Sequence, residues 1–347
     1  MKREKAFSSV SWFERNDAYF ITLNRPSSLN SISLEMYRFI FDLAHQASNE
    51  KKHMVFSGEG RAFSSGGDII ALANQTDSPE EVFTTQFNLI YFLKQMKTIR
   101  VAIMDGITFG GGAGIAWSCS IKVATPNTRW AMPECPIGLI PIVGASHYFA
   151  NTNPPELGLY LSLTGEILNG VDCYLFGFAN YFIEANIELV RAEMCNGNLI
   201  KTLDKFHVNP PETLSKILPV MNQLKYCFDT NGRIELIISK LSLLNTAWSL
   251  KTLKKLRENC PLALRISFEA FQMGKSICFR DCLIMEFNLA MKVISREDFR
   301  GAITAKMIKK SQEKIKWNPE TLCEIGNSKM QECFQDYKEN SLNLPRL

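Results

Sequence analysis

DGITFGGGAGIAWSCS, residues Asp105–Ser120, runs a glycine-rich loop straight into an apolar, helix-forming segment. The preceding Arg100–Met104 has the β-branched and apolar character of a strand, so the order is strand, loop, helix. Small residues at such a junction let a ligand approach the backbone, and a helix start offers unpaired N–H groups with a favourable dipole. For one such loop taken alone, tight turns and close helix packing are the better explanation of the glycines. The spacing fits neither the Gly-x-Gly-x-x-Gly dinucleotide pattern nor a phosphate loop, because no Gly-Lys-Ser/Thr follows.

A second loop of the same kind, Arg61–Ile69 (RAFSSGGDI), follows a predicted strand at His53–Ser57. Two backbone N–H groups, one from each loop, would suffice to cradle a carbonyl oxygen that gains negative charge during a reaction. Outward from these loops, SVSWFE and AYFITLN read as a hairpin turning at Arg15-Asn16-Asp17. SLEMYRFIFDLAHQA places Met36, Phe39, Ile40 and Leu43 on one helical stripe with Ser33 as its cap, and a second helix is expected over Glu80–Gln95. Strands and helices alternating at this spacing predict βα units with parallel strands. From about Pro210 the strand signals fade, and TLSKILPVMNQL, RIELIISKLSLL, LALRISFEAFQM and CLIMEFNLAMKVI all carry helical periodicity. The expected organisation is an α/β core over residues 1–205 and a helical C-terminal region over 206–347, with no flexible linker between them.

Composition narrows the chemistry. At 347 residues, 46% hydrophobic and 21% charged, the chain has ample material for a packed core, which argues against wholesale disorder. A net charge of +4 is too small and too dispersed to signal direct nucleic-acid binding. No apolar run is long enough to span a bilayer. The ten cysteines form no Cys-x-x-Cys pair, which reads as reduced, mostly buried thiols in an intracellular compartment. The four histidines have no zinc spacing, so no metal is expected. The ending Pro345-Arg346-Leu347 loosely resembles a peroxisomal address and fits a chance ending as well.

Beyond the two loops, LNRPSSLNSI (Leu23–Ile32), ATPNTRWAMPECPIGLIPIVGAS (Ala124–Ser146) and YLSLTGEILNGVDCYLFGFANYFI (Tyr160–Ile183) follow in order. With the loops, they resemble the successive signatures of the crotonase, or enoyl-CoA hydratase/isomerase, superfamily. CPLALRIS (Cys260–Ser267), MEFNLAM (Met285–Met291) and KIKWNP (Lys314–Pro319) resemble segments of its 3-hydroxyisobutyryl-CoA hydrolase branch, so the likeness covers nearly the whole chain. It implies a crotonase-like spiral of ββα turns, an acyl-CoA thioester as small-molecule substrate, no separate cofactor, and a mitochondrial location in valine catabolism. A homo-oligomer is compatible with it. By position, the oxyanion-hole amides fall on Ser65 and Gly111. Coenzyme A would lie along the backbone near Ala62, Ser64, Gly66, Asp68 and Ile69, with Gln86, Gly110 and Ile142 also lining the substrate. The branch's central carboxylate falls on Glu134, which follows the apolar Trp130–Pro133; burial there would raise its pKa and suit it to proton transfer or attack.

The pattern also breaks. Hydratases of the superfamily use a second carboxylate where this chain has Gly114, so two-carboxylate hydration is not expected. The hydrolase branch carries an Asp in a Pro-Asp-Val-Gly segment, and here the segment reads Pro141-Ile142-Val143-Gly144. It tends to carry a Glu at the position of Gln86. Loss of one charge-assisted hydrogen bond in the transition state costs on the order of 1.5 to 3 kcal/mol, or roughly ten- to a few-hundredfold in rate. The branch's Glu-Gly-x-Arg-Ala stretch is replaced by Arg300–Ala305, and its Asp-Lys pair by Lys309-Lys310, changes that suit a solvated face. His147 reads as a spectator rather than a replacement base. Three functions compete: a thioester hydrolase using Glu134, a single-carboxylate enoyl-CoA isomerase, and a non-catalytic binding or structural subunit such as the branch contributes to mitochondrial ribosomes.

Overall fold

The computed structural model describes residues 8–229, 231–311, 313–335, 342, 344 and 345. Its first two strands, β1 (Val10–Arg15) and β2 (Ala18–Leu23), form the expected antiparallel hairpin, with Asn16 in the left-handed region at φ 55. Eight more follow: β3 (His53–Gly58), β4 (Ala62–Ser64), β5 (Arg100–Met104), β6 (Ile107–Phe109), β7 (Ile121–Ala124), β8 (Arg129–Ala131), β9 (Leu168–Asn169) and β10 (Tyr181–Phe182). One sheet has the order β1-β2-β3-β5-β7-β10, parallel from β2 onward; the smaller has the order β4-β6-β8-β9, with β4, β6 and β8 parallel. Successive strand pairs β3–β4, β5–β6 and β7–β8 thus each place one strand in the large sheet and one in the small. This is the ββα spiral of the crotonase fold. The helix Leu34–Asn49 begins at Ser33, whose side chain accepts from the Met36 amide at 3.3 Å, as the capping pattern predicts.

The chain folds into two compact units that interleave along the sequence. One takes the residues up to Gly67, Asn88–Ala131 and Ile167–Leu218; the other takes Asp68–Phe87, Met132–Glu166 and the residues from Pro219 on. This grouping differs from a single cut near residue 205. The first unit holds both sheets. Phe20, Val55, Val101, Ile103 and Val123 on the large sheet bury against Val190, Met194, Leu199 and Leu203 of the helices Ile187–Asn196 and Leu199–Phe206. At its centre every residue of helix Gly111–Ser118 is buried.

The second unit is helical. Pro261–Gly274 and Phe279–Ile294 are amphipathic as their periodicity predicts, and the former packs on Ala145–Ala150 and Pro155–Thr164. TLSKILPVMNQL is not one continuous helix. Glu212–Leu214 and Leu218–Val220 are 3-10 turns, and the α-helix starts only at Met221. Pro219 explains this, because it lacks the N–H that a continuous helix would need. Of the Pro345-Arg346-Leu347 ending, Arg346 and Leu347 lie outside the described residues.

Candidate active site

The first unit brings the two glycine loops together. Asn30, fully buried, donates to the carbonyls of Glu59 at 2.9 Å and Ala62 at 2.7 Å, which fixes the entry to the Ser64–Gly67 loop. Gly66 has φ +107, and a Cβ there would lie 3.2 Å from the Phe109 carbonyl and 3.4 Å from the Gly111 amide nitrogen. The backbones of the loops therefore touch, an approach that glycine permits. Below them Ser64 is buried against helix Gly111–Ser118: a Cβ on Gly112 would come within 2.6 Å of the Ser64 Cβ.

Not every amide in these loops is free to meet a ligand. The Ser65 N–H donates to the Leu29 carbonyl at 2.8 Å, and the Gly66 N–H donates to the Ser64 hydroxyl at 3.1 Å. The expectation that Ser65 supplies an oxyanion-hole amide is therefore corrected, since a donor already satisfied by protein is withheld from ligand. Two residues on, the Gly67 N–H has no protein acceptor among the described residues. The same holds for Gly111, the first residue of its helix, whose amide has no partner one turn earlier. Gly110 donates to the Ala131 carbonyl at 3.1 Å and so holds the loop rather than offering an amide. Ala62 and Ser64 are buried in β4.

The second unit carries Glu134, Ile142, Gln86, Asp68 and Ile69. Asp68 caps the helix Ile69–Ala73, accepting from the Ala71 amide at 3.3 Å. Gln86 and Ile142 are buried at 3% and 4% exposure, so the two departures from the hydrolase branch lie in the interior rather than on a solvated face. Glu134 is 6% exposed, and its Oε2 has no hydrogen-bond partner. Its backbone carbonyl is held by the amides of Ile137 at 3.0 Å and Leu139 at 3.2 Å. Burial is the main cause that pushes its carboxyl up to about 8; a backbone hydrogen bond lowers it, and the charge of Glu286 adds the smallest contribution, a raising one. An unpaired buried carboxyl costs stability, and burial favours its protonated form. His147 makes edge-to-face ring contacts with Tyr148 and Phe279. Gly67 and Glu286 were not singled out in the sequence. For Gly67 the adjacent small residues gave no signal to separate one amide from the next. For Glu286 the one available signal was a carboxylate inside the apolar stripe of MEFNLAM.

Comparison with known proteins agrees with this architecture. The enoyl-CoA hydratase/isomerase family model matches residues 18–334. A 3-hydroxyisobutyryl-CoA hydrolase, mitochondrial, of Xenopus tropicalis is 34% identical over 93% of this chain and 88% of its own length. The 3-hydroxyisobutyryl-CoA hydrolase 1 of Arabidopsis thaliana is 29% identical over 96% and 93%. Among solved structures, a carnitinyl-CoA dehydratase from Mycobacterium thermoresistibile superposes with TM-score 0.89 at 23% identity, covering 96% of this chain and 99% of that one, a likeness of fold. An enoyl-CoA hydratase from Rhodobacter sphaeroides gives 0.84 at 26% identity, over 95% and 98%. On this evidence the chain belongs to the enoyl-CoA hydratase/isomerase family.

Proposed function

We propose that the protein hydrolyses a short hydroxyacyl-CoA thioester of the 3-hydroxyisobutyryl type. The observation that carries this reading is Glu134, a buried and unpartnered carboxylate in a chain whose full-length relatives are named for that hydrolysis. In the proposed reaction the free amides of Gly67 and Gly111 donate to the thioester oxygen as it becomes an oxyanion. Glu134, ionised, either attacks the carbonyl carbon, giving an acyl anhydride that water then cleaves to free the acid and Glu134, or removes a proton from the water that attacks. In both cases the C–S bond breaks and the thiolate of coenzyme A takes up a proton. Coenzyme A runs along the backbone of Ala62, Ser64, Gly66, Asp68 and Ile69, with Gln86, Gly110 and Ile142 toward the acyl group. The relatives named mitochondrial favour that compartment, and the peroxisomal reading of the C-terminus finds no support in them.

Release of coenzyme A from 3-hydroxyisobutyryl-CoA, followed by chromatography for the native chain and Glu134→Gln, tests the proposal. Chromatography is needed because ten free cysteines would consume a thiol-reactive dye. Turnover that vanishes in the variant supports it. A chain that binds the thioester and releases nothing is instead a ligand-binding relative, the reading that the apolar Ile142 favours.

A further inference from the structure

Glu286, on the helix Phe279–Ile294, is a fully buried carboxylate with no step in the reaction above. Its Oε2 accepts from the Gly144 amide at 2.6 Å; its Oε1 accepts from the Ser146 amide at 2.7 Å and from the Ser146 hydroxyl. Two amides and a hydroxyl converging on one carboxylate make a set of charge-assisted bonds that hold an anion in place. The turn they grip is conformationally costly. Val143 has φ 62, an unfavourable value for a β-branched residue, and Gly144 has φ 90. A backbone of that shape persists where its surroundings over-determine it, and the Glu286 carboxylate does so from a distant helix. The turn lies shortly after Glu134 in the chain and begins at Ile142, the site of the missing aspartate.

We propose that Glu286 is a positioning residue for Glu134: it fixes the Ile142–Ser146 turn and presents a negative charge to the reacting carboxylate. The proposal rests on the reading of Glu134 as the reacting group. Burial moves Glu286 up to about 7, against the lowering by the Ser146 hydroxyl and the Ser146 and Gly144 amides. It therefore gains charge over the range in which Glu134 must lose its proton, and like charges resist joint ionisation. Besides Glu134, Cys282 on its own helix senses Glu286 among the described residues. On helix Ala145–Ala150, His147 meets Tyr148 and Phe279 edge-to-face. On the other elements packed against helix Phe279–Ile294, Arg265 pairs with Glu235 and Glu269, Asp298 with Arg296, and Lys329 with Glu332, while Glu297 is in no ion pair among the described residues and Arg300 donates to the Ser295 carbonyl.

The test is an infrared titration of protonated carboxyl bands in the full chain, with Glu134→Gln identifying the Glu134 band and Glu286→Gln as the perturbation. The Glu134 midpoint is expected to move to lower pH in Glu286→Gln, with kcat for CoA release down by about tenfold or more and KM changed less than about threefold. A folded Glu286→Gln with the native Glu134 midpoint overturns the proposal. If the native chain releases no coenzyme A, the hydrolase reading fails while the infrared shift still decides this one. If Glu286→Gln does not fold, Ser146→Ala takes its place. It keeps the acid and removes one donor, so the Glu286 band should move up and the Glu134 band down. Bands that stay at their native positions overturn the proposal.

Discussion

Glu134 titrates near pH 8 because burial withholds water from its charged form, so at neutral pH it is mostly protonated. Attack or water activation needs the ionised form. The rate of CoA release is therefore expected to rise with pH and reach half its limit near pH 8; a rate that falls over the same range would assign Glu134 as an acid instead. Glu134→Gln keeps the shape and removes the charge, and a loss of roughly 10²- to 10⁴-fold in kcat is expected. Ile142→Asp restores the acid that the hydrolase branch carries. If that acid acts by one charge-assisted hydrogen bond, the variant gains about ten- to a few-hundredfold in kcat. A variant no faster than the native chain would show that the aspartate has no use in this site.

The element that matters most for the proposed oxyanion hole is the junction between the Ser64–Gly67 loop and helix Gly111–Ser118. Gly112→Ala puts a Cβ 2.6 Å from the Ser64 Cβ and 2.9 Å from its carbonyl oxygen, so the helix must move away from the loop. We expect a loss of about 1–3 kcal/mol in stability, measured by denaturant unfolding, together with a fall in kcat exceeding any change in KM. Native stability and kinetics in Gly112→Ala would show that the loops need not touch. The hairpin, the Ser33 cap, helix Pro79–Gln95 and strands β3 and β5 were all legible in the sequence, because propensity and periodicity act locally. The assignment of amides was not legible. Ser65 and Gly67 are both small residues of one loop, and the partner that occupies the first, the Leu29 carbonyl, is distant in sequence.

Across the whole molecule the buried acids make stability depend on pH. Glu134 and Glu286 both bind protons more tightly when folded, with midpoints near 8 and 7 against the ordinary glutamate value of 4.5. Their contribution is complete below about pH 4.5 and declines as pH rises through the folded midpoints. For Glu134 the decline amounts to a few kcal/mol at most on the linkage scale of about 1.4 kcal/mol per unit. The melting temperature of the native chain should fall between about pH 5 and 8, and Glu134→Gln should flatten part of that fall. Equal slopes in the two proteins would mean that Glu134 is not the buried acid described. The thiols give a second whole-molecule check. Cys278 and Cys323 are exposed, whereas Cys119 and Cys135 are buried and pushed up to about 12. Two cysteines should label fast in the native state, with Cys195 slower.

From the amino-acid sequence alone came the ββα order, the two glycine loops and the choice of Glu134 as the candidate acid. Each depends on local pattern, composition or a collinear family resemblance. The tertiary structure decided which backbone groups remain free, how the chain divides into interleaved units, and that Glu286 grips the Ile142–Ser146 turn from a helix far along the chain. Those features depend on hydrogen bonds and burial between residues widely separated in sequence, where propensity and spacing carry no information.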